Sequence, residues 1–405
     1  MSLLARRLRP SPFLNAAHRC LPRSSASTAS TASTSTAASP PAAAVTADFV
    51  DALSKSLASH MNTRTPPSGE IAAYIPQLAK ADPESLGAAF CTVGGDLRSF
   101  GDDELPFSFQ SCVKPFTYLA ACEEHGLDYV HDHVGREPSG QAFNAFTLTS
   151  DDPPLPFNPM INAGAIAVCN LIGQKDRLSP SGRFERLENV IAQVGTDDGS
   201  VDFHTGFDNA VFMSERDTGF TNYALAHFMR SKQAGSVEDA RGRNGDVSGR
   251  SARAVEDDLQ LYFQACSLTV DVRSAAVLAA TLASGGVSPF TKKRRFAHRH
   301  VSSAIQLMFS CGMYDGSGAW ACTVGLPAKS GVSGCIIVVV PNVLGLAVVS
   351  PPLNRMGNSA RGVSLIESLA REFNLNIFSQ LMLGPSDGVI AHLHEMSDMC
   401  DQLTR

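Results

Sequence analysis

The spacing of apolar residues divides the chain into helical and extended segments. VDALSKSLASHM, residues 50–61, has apolar residues at helical spacing and predicts an amphipathic helix. In residues 87–100, GAAFCTVGGDLRSF, short apolar runs flank a Gly-Gly pair and predict a β-hairpin. A helix is predicted to start near Ser111 and to end at a C-terminal cap at Gly126, and the region of about 160–285 is predicted to be rich in helices. The first two thirds of the chain therefore combine one hairpin with many helices.

The last third has a different pattern. Residues 320–352, WACTVGLPAKSGVSGCIIVVVPNVLGLAVVSPP, predict three successive β-rich segments, and residues 362–373, GVSLIESLAREF, predict a closing helix. Strands at both ends around a helical middle indicate an α+β fold. We expect an antiparallel sheet, built from N- and C-terminal pieces, that packs against helices and a helical subdomain. The polar, Gly-rich stretch at about 231–258 predicts an exposed insertion, and residues 376–405 predict a short helix or tail.

The first 47 residues differ in composition from the rest. They contain no Asp or Glu, they carry Arg6, Arg7, Arg9, Arg19 and Arg23, and residues 24–39 are only Ser, Thr and Ala. This composition is typical of an organelle transit peptide, mitochondrial first and plastid second, whereas a plain disordered tail on a cytoplasmic protein is the alternative. We therefore expect residues 1–47 to be disordered and a catalytic domain to occupy residues 48–375.

Charge and cysteine content exclude several functional classes. The net charge of −6 gives no reason to expect nucleic-acid binding, and no apolar run reaches the length of a membrane span. The ten cysteines are scattered without metal-binding spacing, which predicts free, mostly buried thiols. His131 and His133 lack a third ligand, so a structural role is preferred to a metal site. The basic run 292–300, KKRRFAHRH, is interpreted as a solvated loop rather than a nuclear-localisation signal.

The stretch FSFQSCVKPF, residues 107–116, contains a candidate nucleophile and base. Ser111 and Lys114 lie three apart, so at a helix start they share one face, and Pro115 is tolerated only in the first helical turn. A helix N-terminus favours a developing oxyanion, and a desolvated lysine loses its proton more easily. By itself the pattern is explained as well by a capping serine beside a solvated lysine.

Two downstream stretches favour the catalytic interpretation. Serine enzymes that react with penicillin have S-x-x-K, then a polar motif, then a K-T-G-type strand. This chain has Tyr262-Phe263-Gln264 in its helical region and Lys329-Ser330-Gly331 at the start of its β-rich block. A small-residue strand beside the serine would let backbone N–H groups reach a reacting carbonyl. The order and the contexts agree with such an enzyme.

The chain resembles the glutaminase family, the amidohydrolases that share the serine β-lactamase fold. The matching stretches run in order through residues 70–375: AAYIPQLA, QSCVKP, VGREPSG, FNPMINAGAI, SERDTGFTNYALA, YFQACS, CGMYDGSGAWACTVGLPAKSGVSG, VVPN and SPPLNRMGNSARG. The resemblance implies the hydrolysis of L-glutamine to L-glutamate and ammonia. It also implies self-association, so we expect a homodimer or homotetramer.

The resemblance implies a role for each matching residue. Ser111 matches the nucleophile, Lys114 the lysine that activates it, and Tyr262 a tyrosine that relays a proton or acts as base. Tyr314 closes the pocket beside the nucleophile, and the backbone N–H of Val332 completes the oxyanion hole with that of Ser111. The substrate-binding positions are Tyr74, Ser111, Asn162, Glu215, Asn222, Tyr262, Tyr314 and Val332.

These residue types suit free glutamine. Glu215 would pair with the ammonium group, while asparagines and a tyrosine hydroxyl would hold the carboxylate. Attack by Ser111 would release ammonia and leave a γ-glutamyl ester for hydrolysis, with no metal or organic cofactor required. Two alternatives remain: another serine hydrolase of this fold, such as a β-lactamase or esterase, and a catalytically inactive binding protein. L-Glutamine is the expected partner, without nucleic acid or membrane.

Residues 141–157 depart from what the resemblance implies. They lie where animal mitochondrial members carry a loop linked to activation and assembly, and their Pro-rich end argues against transferring phosphate activation to this chain.

Overall fold

The computed structural model of the chain describes residues 45–62, 69–195, 203–233 and 252–382. Nearly all of the predicted disordered segment, 1–47, and most of the predicted tail, 376–405, lie outside these ranges. The strands are β1 Gly87–Thr92, β2 Leu97–Gly101, β3 Phe107–Ser108, β4 Thr205–Phe207, β5 Leu268–Val270, β6 Ala328–Ser330, β7 Cys335–Val340 and β8 Leu344–Val349. The helices are α1 Ala47–Asn62, α2 Lys114–His125, α3 Leu127–His131, α4 Asn162–Leu171, α5 Pro180–Ala192, α6 Asn209–Thr218, α7 Phe220–Gln233, α8 Ala252–Cys266, α9 Val272–Ala283, α10 His298–Cys311, α11 Ser317–Thr323, α12 Ala360–Glu372 and α13 Ile377–Met382.

The main sheet joins the two ends of the described chain. Its order is β2-β1-β8-β7-β6, and every pair is antiparallel. The predicted hairpin forms β1 and β2, and Gly95 adopts the positive φ of 106° that its turn requires. Gly87 pairs with Val349, so the hairpin joins the C-terminal strands directly. The predicted α+β fold, with a sheet from both ends of the sequence, is confirmed.

Both faces of the sheet are covered, which explains the unbroken apolar run of β7. Cys335, Ile337 and Val339 face the larger core beneath α9, whereas Ile336 and Val338 face a second core. The second core is closed by α1 and α12, which contribute apolar side chains such as Leu53 and Ile366. When both faces of a strand are buried, every side chain points into a core, so the sequence is continuously apolar instead of alternating with polar residues.

Helix α9 lies across β1, β7 and β8 at very short range. At Gly345 in β8, a Cβ atom would stand 2.1 Å from the Ala280 nitrogen, so only glycine fits. The helices α2, α4 and α8 build the rest of the larger core beside this layer. A small second sheet, of order β3-β5-β4, connects this helical region to the start of α2.

Three predictions need correction or restriction. Ser111 is not the first α-helical residue, because a 3₁₀ turn over Gln110–Val113 precedes α2. The predicted insertion at about 231–258 is helical at both ends, in α7 and α8, and residues 234–251 lie outside the described ranges. Trp320–Thr323, predicted as part of a β-rich segment, belongs to α11, because the strand begins only at Ala328.

Other predictions on local structure agree with the described chain. The basic run begins in a loop and its last residues start α10. Described cysteines are all free thiols, and only Cys322 among them is exposed. None of the described helices combines the length and the apolar character that a membrane span requires.

Candidate active site

The predicted site residues converge on one cavity of about 170 Å³ between the main sheet and the helical region. Its lining contains seven of them: Tyr74, Ser111, Asn162, Glu215, Asn222, Tyr262 and Val332. The other two, Lys114 and Tyr314, contact the lining, because Lys114 binds Asn162 and the Tyr314 ring packs on Phe143. Elements far apart in the sequence therefore deliver all nine residues to one place.

The turn that carries Ser111 is held in an uncommon conformation. Gln110 has a φ of 51°, a left-handed value that costs free energy for any residue with a side chain. The surroundings hold the turn: the Phe109 N–H donates to the Leu268 carbonyl at 2.7 Å, and the Cys112 thiol donates to the Lys329 carbonyl at 3.2 Å. Ser111 therefore precedes α2 on a strained, firmly tied turn rather than inside the helix.

The strand that leads to Val332 lies against this turn. A Cβ atom at Gly331 would stand 3.0 Å from the Phe109 carbonyl oxygen and 3.2 Å from the Cys112 sulphur. Glycine therefore permits the backbone of residues 330–332 to approach Ser111 closely. Backbone N–H groups on both sides can then point at one substrate oxygen, which is the requirement of an oxyanion hole.

Lys114 is fully buried beside the cavity, in contact with the lining residue Asn162. Its ammonium nitrogen donates to Asn162 Oδ1 at 2.8 Å, and Asn162 Nδ2 donates to Asn222 Oδ1 at 2.9 Å. The same nitrogen lies 5.9 Å from the centroid of the Tyr262 ring. Burial lowers the pKa of Lys114 to about 8, although the nearby Cys266 and Glu215 oppose this effect. A large fraction of this lysine is therefore neutral at mildly alkaline pH and able to accept a proton.

Glu215 supplies a buried carboxyl group to the same cavity. It lies on α6, whose first turn is capped by Asp208, and its Oε1 accepts a hydrogen bond from Gln110 Nε2 at 2.6 Å. Burial raises the pKa of Glu215 to about 7, while the Gln110 hydrogen bond and Lys114 lower it. A bound cation would stabilise the ionised form by adding a charged partner to the Gln110 hydrogen bond.

Tyr262 and its neighbours are protonated at neutral pH. Burial raises the pKa of Tyr262 well above its usual value, and it does the same for the Cys266 thiol one helical turn later. Tyr74 is 58% exposed as a residue, but its pKa is also raised, because its hydroxyl end lies in the crowded cavity near Glu215. Of the two roles expected for Tyr262, this favours proton relay over a phenolate base.

Tyr314 also has a left-handed backbone, with a φ of 53°. Its ring centroid is 4.9 Å from that of Phe143, and its hydroxyl is buried without a hydrogen bond of good geometry in the described chain. Burial raises its pKa well above the usual value, although an interaction with Ser111 lowers it. The hydroxyl is thus directed towards the nucleophile.

The lining contains residues that the sequence analysis did not assign. They are Ile75, Gln110, Phe143, Asn144, Thr218, Gly219, Thr221 and Cys266. Most have a sequence signal in retrospect: Gln110 precedes the serine directly, and Cys266 follows Tyr262 at helical spacing. Phe143 and Asn144 lie in the 141–157 segment, and the Phe143 carbonyl accepts the Asn162 N–H at 3.0 Å. This irregular segment is therefore part of the pocket wall.

No cluster of three metal-binding side chains occurs within the residues that the structure describes. His131 is buried: its Nδ1 bonds to the Val134 carbonyl at 2.9 Å and its Nε2 to the Tyr118 hydroxyl at 2.8 Å. His133 bonds instead to the Tyr129 carbonyl. His131 therefore connects α3 to α2, whereas the hydrogen bond of His133 stays local to α3.

Comparisons with known proteins agree with the geometry. A family model described as glutaminase matches residues 69–378. The liver-isoform mitochondrial glutaminase of Mus musculus is 42% identical over 79% of this chain and 49% of its own length. A glutaminase of Nostoc sp. is 41% identical over 80% of this chain and 90% of its own length. The chain spans about half the length of the curated animal relatives it matches.

Solved structures give the same result for the fold. The structure of Mglu in its glutamate form superposes with a TM-score of 0.70 at 35% identity, covering 85% of this chain and 72% of that one. The fold expected from the resemblance, that of the serine β-lactamases, is therefore confirmed for this chain.

Proposed function

Because the chain belongs to the glutaminase family, we propose that it hydrolyses L-glutamine to L-glutamate and ammonia through a γ-glutamyl ester on Ser111. The observation that carries the proposal is one cavity that holds two kinds of group. Its lining includes Ser111, three residues before the buried Lys114, and the buried carboxyl group of Glu215. Glutamine uses both kinds of group, since its amide must react while its ammonium group is held.

At the reacting end, neutral Lys114 takes the proton of Ser111 as its hydroxyl attacks the side-chain amide. The N–H groups of Ser111 and Val332 stabilise the oxyanion, and the protonated Tyr262 relays a proton to the departing ammonia. A water molecule then hydrolyses the ester by the reverse sequence of proton transfers. Tyr314 closes this side of the pocket.

At the amino acid end, Glu215 pairs with the ammonium group of the substrate. Asn162, Asn222 and the hydroxyl of Tyr74 hold the carboxylate. Pairing removes the cost of keeping the Glu215 carboxylate ionised in a buried position, so binding is favoured for a substrate that carries a free ammonium. A β-lactam or a simple ester offers no such partner for Glu215.

The test is ammonia release by the purified full chain from glutamine and asparagine, with hydrolysis of a chromogenic β-lactam measured in parallel. We expect activity on glutamine that disappears in Ser111→Ala. Full activity in that variant would refute the mechanism, and hydrolysis of the β-lactam alone would refute the function. Glutamine binding without turnover in the wild-type chain would identify an inactive binding protein instead.

We also propose that residues 1–47 direct the chain to mitochondria and that residues 48–375 form the catalytic domain. The acid-free, Arg-containing composition supports this, and the mouse relative is named as mitochondrial. The bacterial relative leaves plastid and cytoplasmic alternatives open. A fluorescent reporter fused to residues 1–47 should reach mitochondria, and a cytosolic signal would contradict the proposal. By family membership we further propose a homodimer or homotetramer, to be measured by analytical ultracentrifugation.

A further inference from the structure

Lys329 is a second fully buried lysine beside the pocket, and the proposed reaction gives it no part. It lies on β6 with no exposed surface. Burial lowers its pKa to about 7, and repulsion from Lys114 contributes to the same effect. A methionine would fill the same space without the cost of a buried amine. Packing alone therefore does not explain a lysine at position 329.

The side chain of Lys329 connects two backbone segments. Its ammonium nitrogen donates to the Ser330 carbonyl at 2.7 Å and to the Gly312 carbonyl at 3.1 Å. Ser330 precedes Val332 by two residues, and Gly312 precedes Tyr314 by two. The same nitrogen lies 4.4 Å from the centroid of the Tyr314 ring, a distance at which its N–H groups contact the ring face in either protonation state.

The loop that carries Tyr314 is pressed onto β6 at this point. A Cβ atom at Gly312 would stand 1.7 Å from the Ala328 carbonyl oxygen, and the Ser330 N–H donates to the Gly312 carbonyl at 3.1 Å. The left-handed backbone of Tyr314 persists only if its surroundings hold it. Lys329 provides contacts both to the loop backbone and to the ring.

We propose that Lys329 is a positioning residue that ties the Tyr314 loop to the strand leading to Val332, so that both groups keep their places around the reacting amide. This rests on the proposed function, which assigns Tyr314 and Val332 to the reacting end. The amino acid end of the substrate is held elsewhere, by Glu215 and Asn222. Loss of Lys329 therefore reduces the rate of the chemical step and leaves substrate affinity largely intact.

The kinetic experiment uses the full chain with Lys329→Met, which keeps the length of the side chain, and Lys329→Gln, which keeps an N–H donor. Lys55→Met, an exposed change on α1, is the matched control. We expect kcat of Lys329→Met to fall about 100-fold with KM within about twofold, and Lys329→Gln to retain part of the rate. Unchanged kcat per folded molecule with a lower melting temperature would overturn the proposal, because it would show a purely structural role.

A double variant tests whether Lys329 acts through Tyr314. The loss of kcat in Lys329→Met combined with Tyr314→Ala should be smaller than the product of the two single losses. A double variant whose loss of kcat equals the product of the two single losses would overturn the proposal.

A crystal structure of Lys329→Met gives a readout that does not depend on activity. We expect Tyr314 to leave its left-handed conformation and the loop at Gly312 to move away from β6. An unchanged loop would overturn the positioning role. Absence of ammonia release by the wild-type chain would instead refute the proposed function, and the crystal structure would still decide the role of Lys329.

Discussion

Replacing Glu215 with glutamine should change stability and activity in opposite directions. The variant keeps the size of the side chain, and the amide oxygen can still accept the hydrogen bond from Gln110. What it removes is a carboxyl group whose pKa is raised by burial from 4.5 to about 7. That difference corresponds to about 3 kcal/mol by which folding disfavours the ionised form.

The sign follows from the raised pKa. The folded chain holds the Glu215 proton more tightly than the unfolded chain does. The contribution of protonated Glu215 to the stability of the fold is therefore complete below pH 4.5. It is lost as the pH rises through 7. The glutamine variant has no such loss. The stability of the variant relative to wild type should therefore be greater at pH 8 than at pH 5, by about 2 to 3 kcal/mol in the free energy of unfolding.

Urea unfolding of the full chain at the two pH values measures this difference. Trp320, the one tryptophan of the sequence, is buried and reports unfolding by fluorescence. Glu70→Gln, an exposed change of the same kind, is the matched control and should keep the wild-type stability. The same relative stability of Glu215→Gln at both pH values would refute the electrostatic reasoning. In the proposed reaction the variant loses the ammonium partner, so kcat/KM for glutamine should fall about 100- to 1000-fold.

Three further predictions concern the site and the core. The kcat/KM for glutamine should rise with pH through 7 to 8, because Glu215 must be ionised and Lys114 neutral, and a profile that is flat from pH 6 to 9 would contradict both assignments. Gly331→Ala should lower kcat at least about tenfold, because the added methyl group displaces the turn that carries Ser111. In the control Gly318→Ala the added methyl group meets no atom within 4 Å, so kcat should not change. Equal rates in the two variants would contradict the close approach of Gly331 to that turn. Gly345→Ala should destabilise the fold by about 3 kcal/mol in urea unfolding, and wild-type stability would contradict the contact with α9.

The fold was largely predictable because its elements have strong local patterns. The hairpin of β1 and β2 has a Gly-Gly turn between apolar runs, and β7 is a continuous apolar run. The strand patterns at the two ends of the chain predicted a sheet that joins them, whereas the order of its strands was not predicted. The 3₁₀ turn before α2 was not predictable, because the left-handed conformation of Gln110 is held by tertiary contacts of its neighbours. Phe109 bonds to the Leu268 carbonyl and Cys112 to the Lys329 carbonyl.

The candidate site was predictable where the motifs are long. Ser111, Glu215 and Asn222 lie in stretches that carry the family resemblance, and the structure brings them to one cavity. Phe143 was not assigned, because irregular segments have no periodicity from which a facing direction can be inferred. The position of Lys329 also could not be inferred, since the letters Lys-Ser-Gly do not tell which carbonyl oxygens the ammonium group contacts.

The pairing of β1 with β8 has a consequence for biosynthesis. β1 emerges early from the ribosome, but its partner, which includes Val349, is among the last described segments to be made. Until then the backbone N–H and C=O groups on one edge of β1 have no strand partner, and Val332 has not joined the turn around Ser111. Such non-local pairing folds slowly and exposes strand edges to aggregation. We therefore expect nascent chains that end before β6 to depend on chaperones. If the protein is imported into an organelle, its site can form only after the strands β6 to β8 have also been delivered.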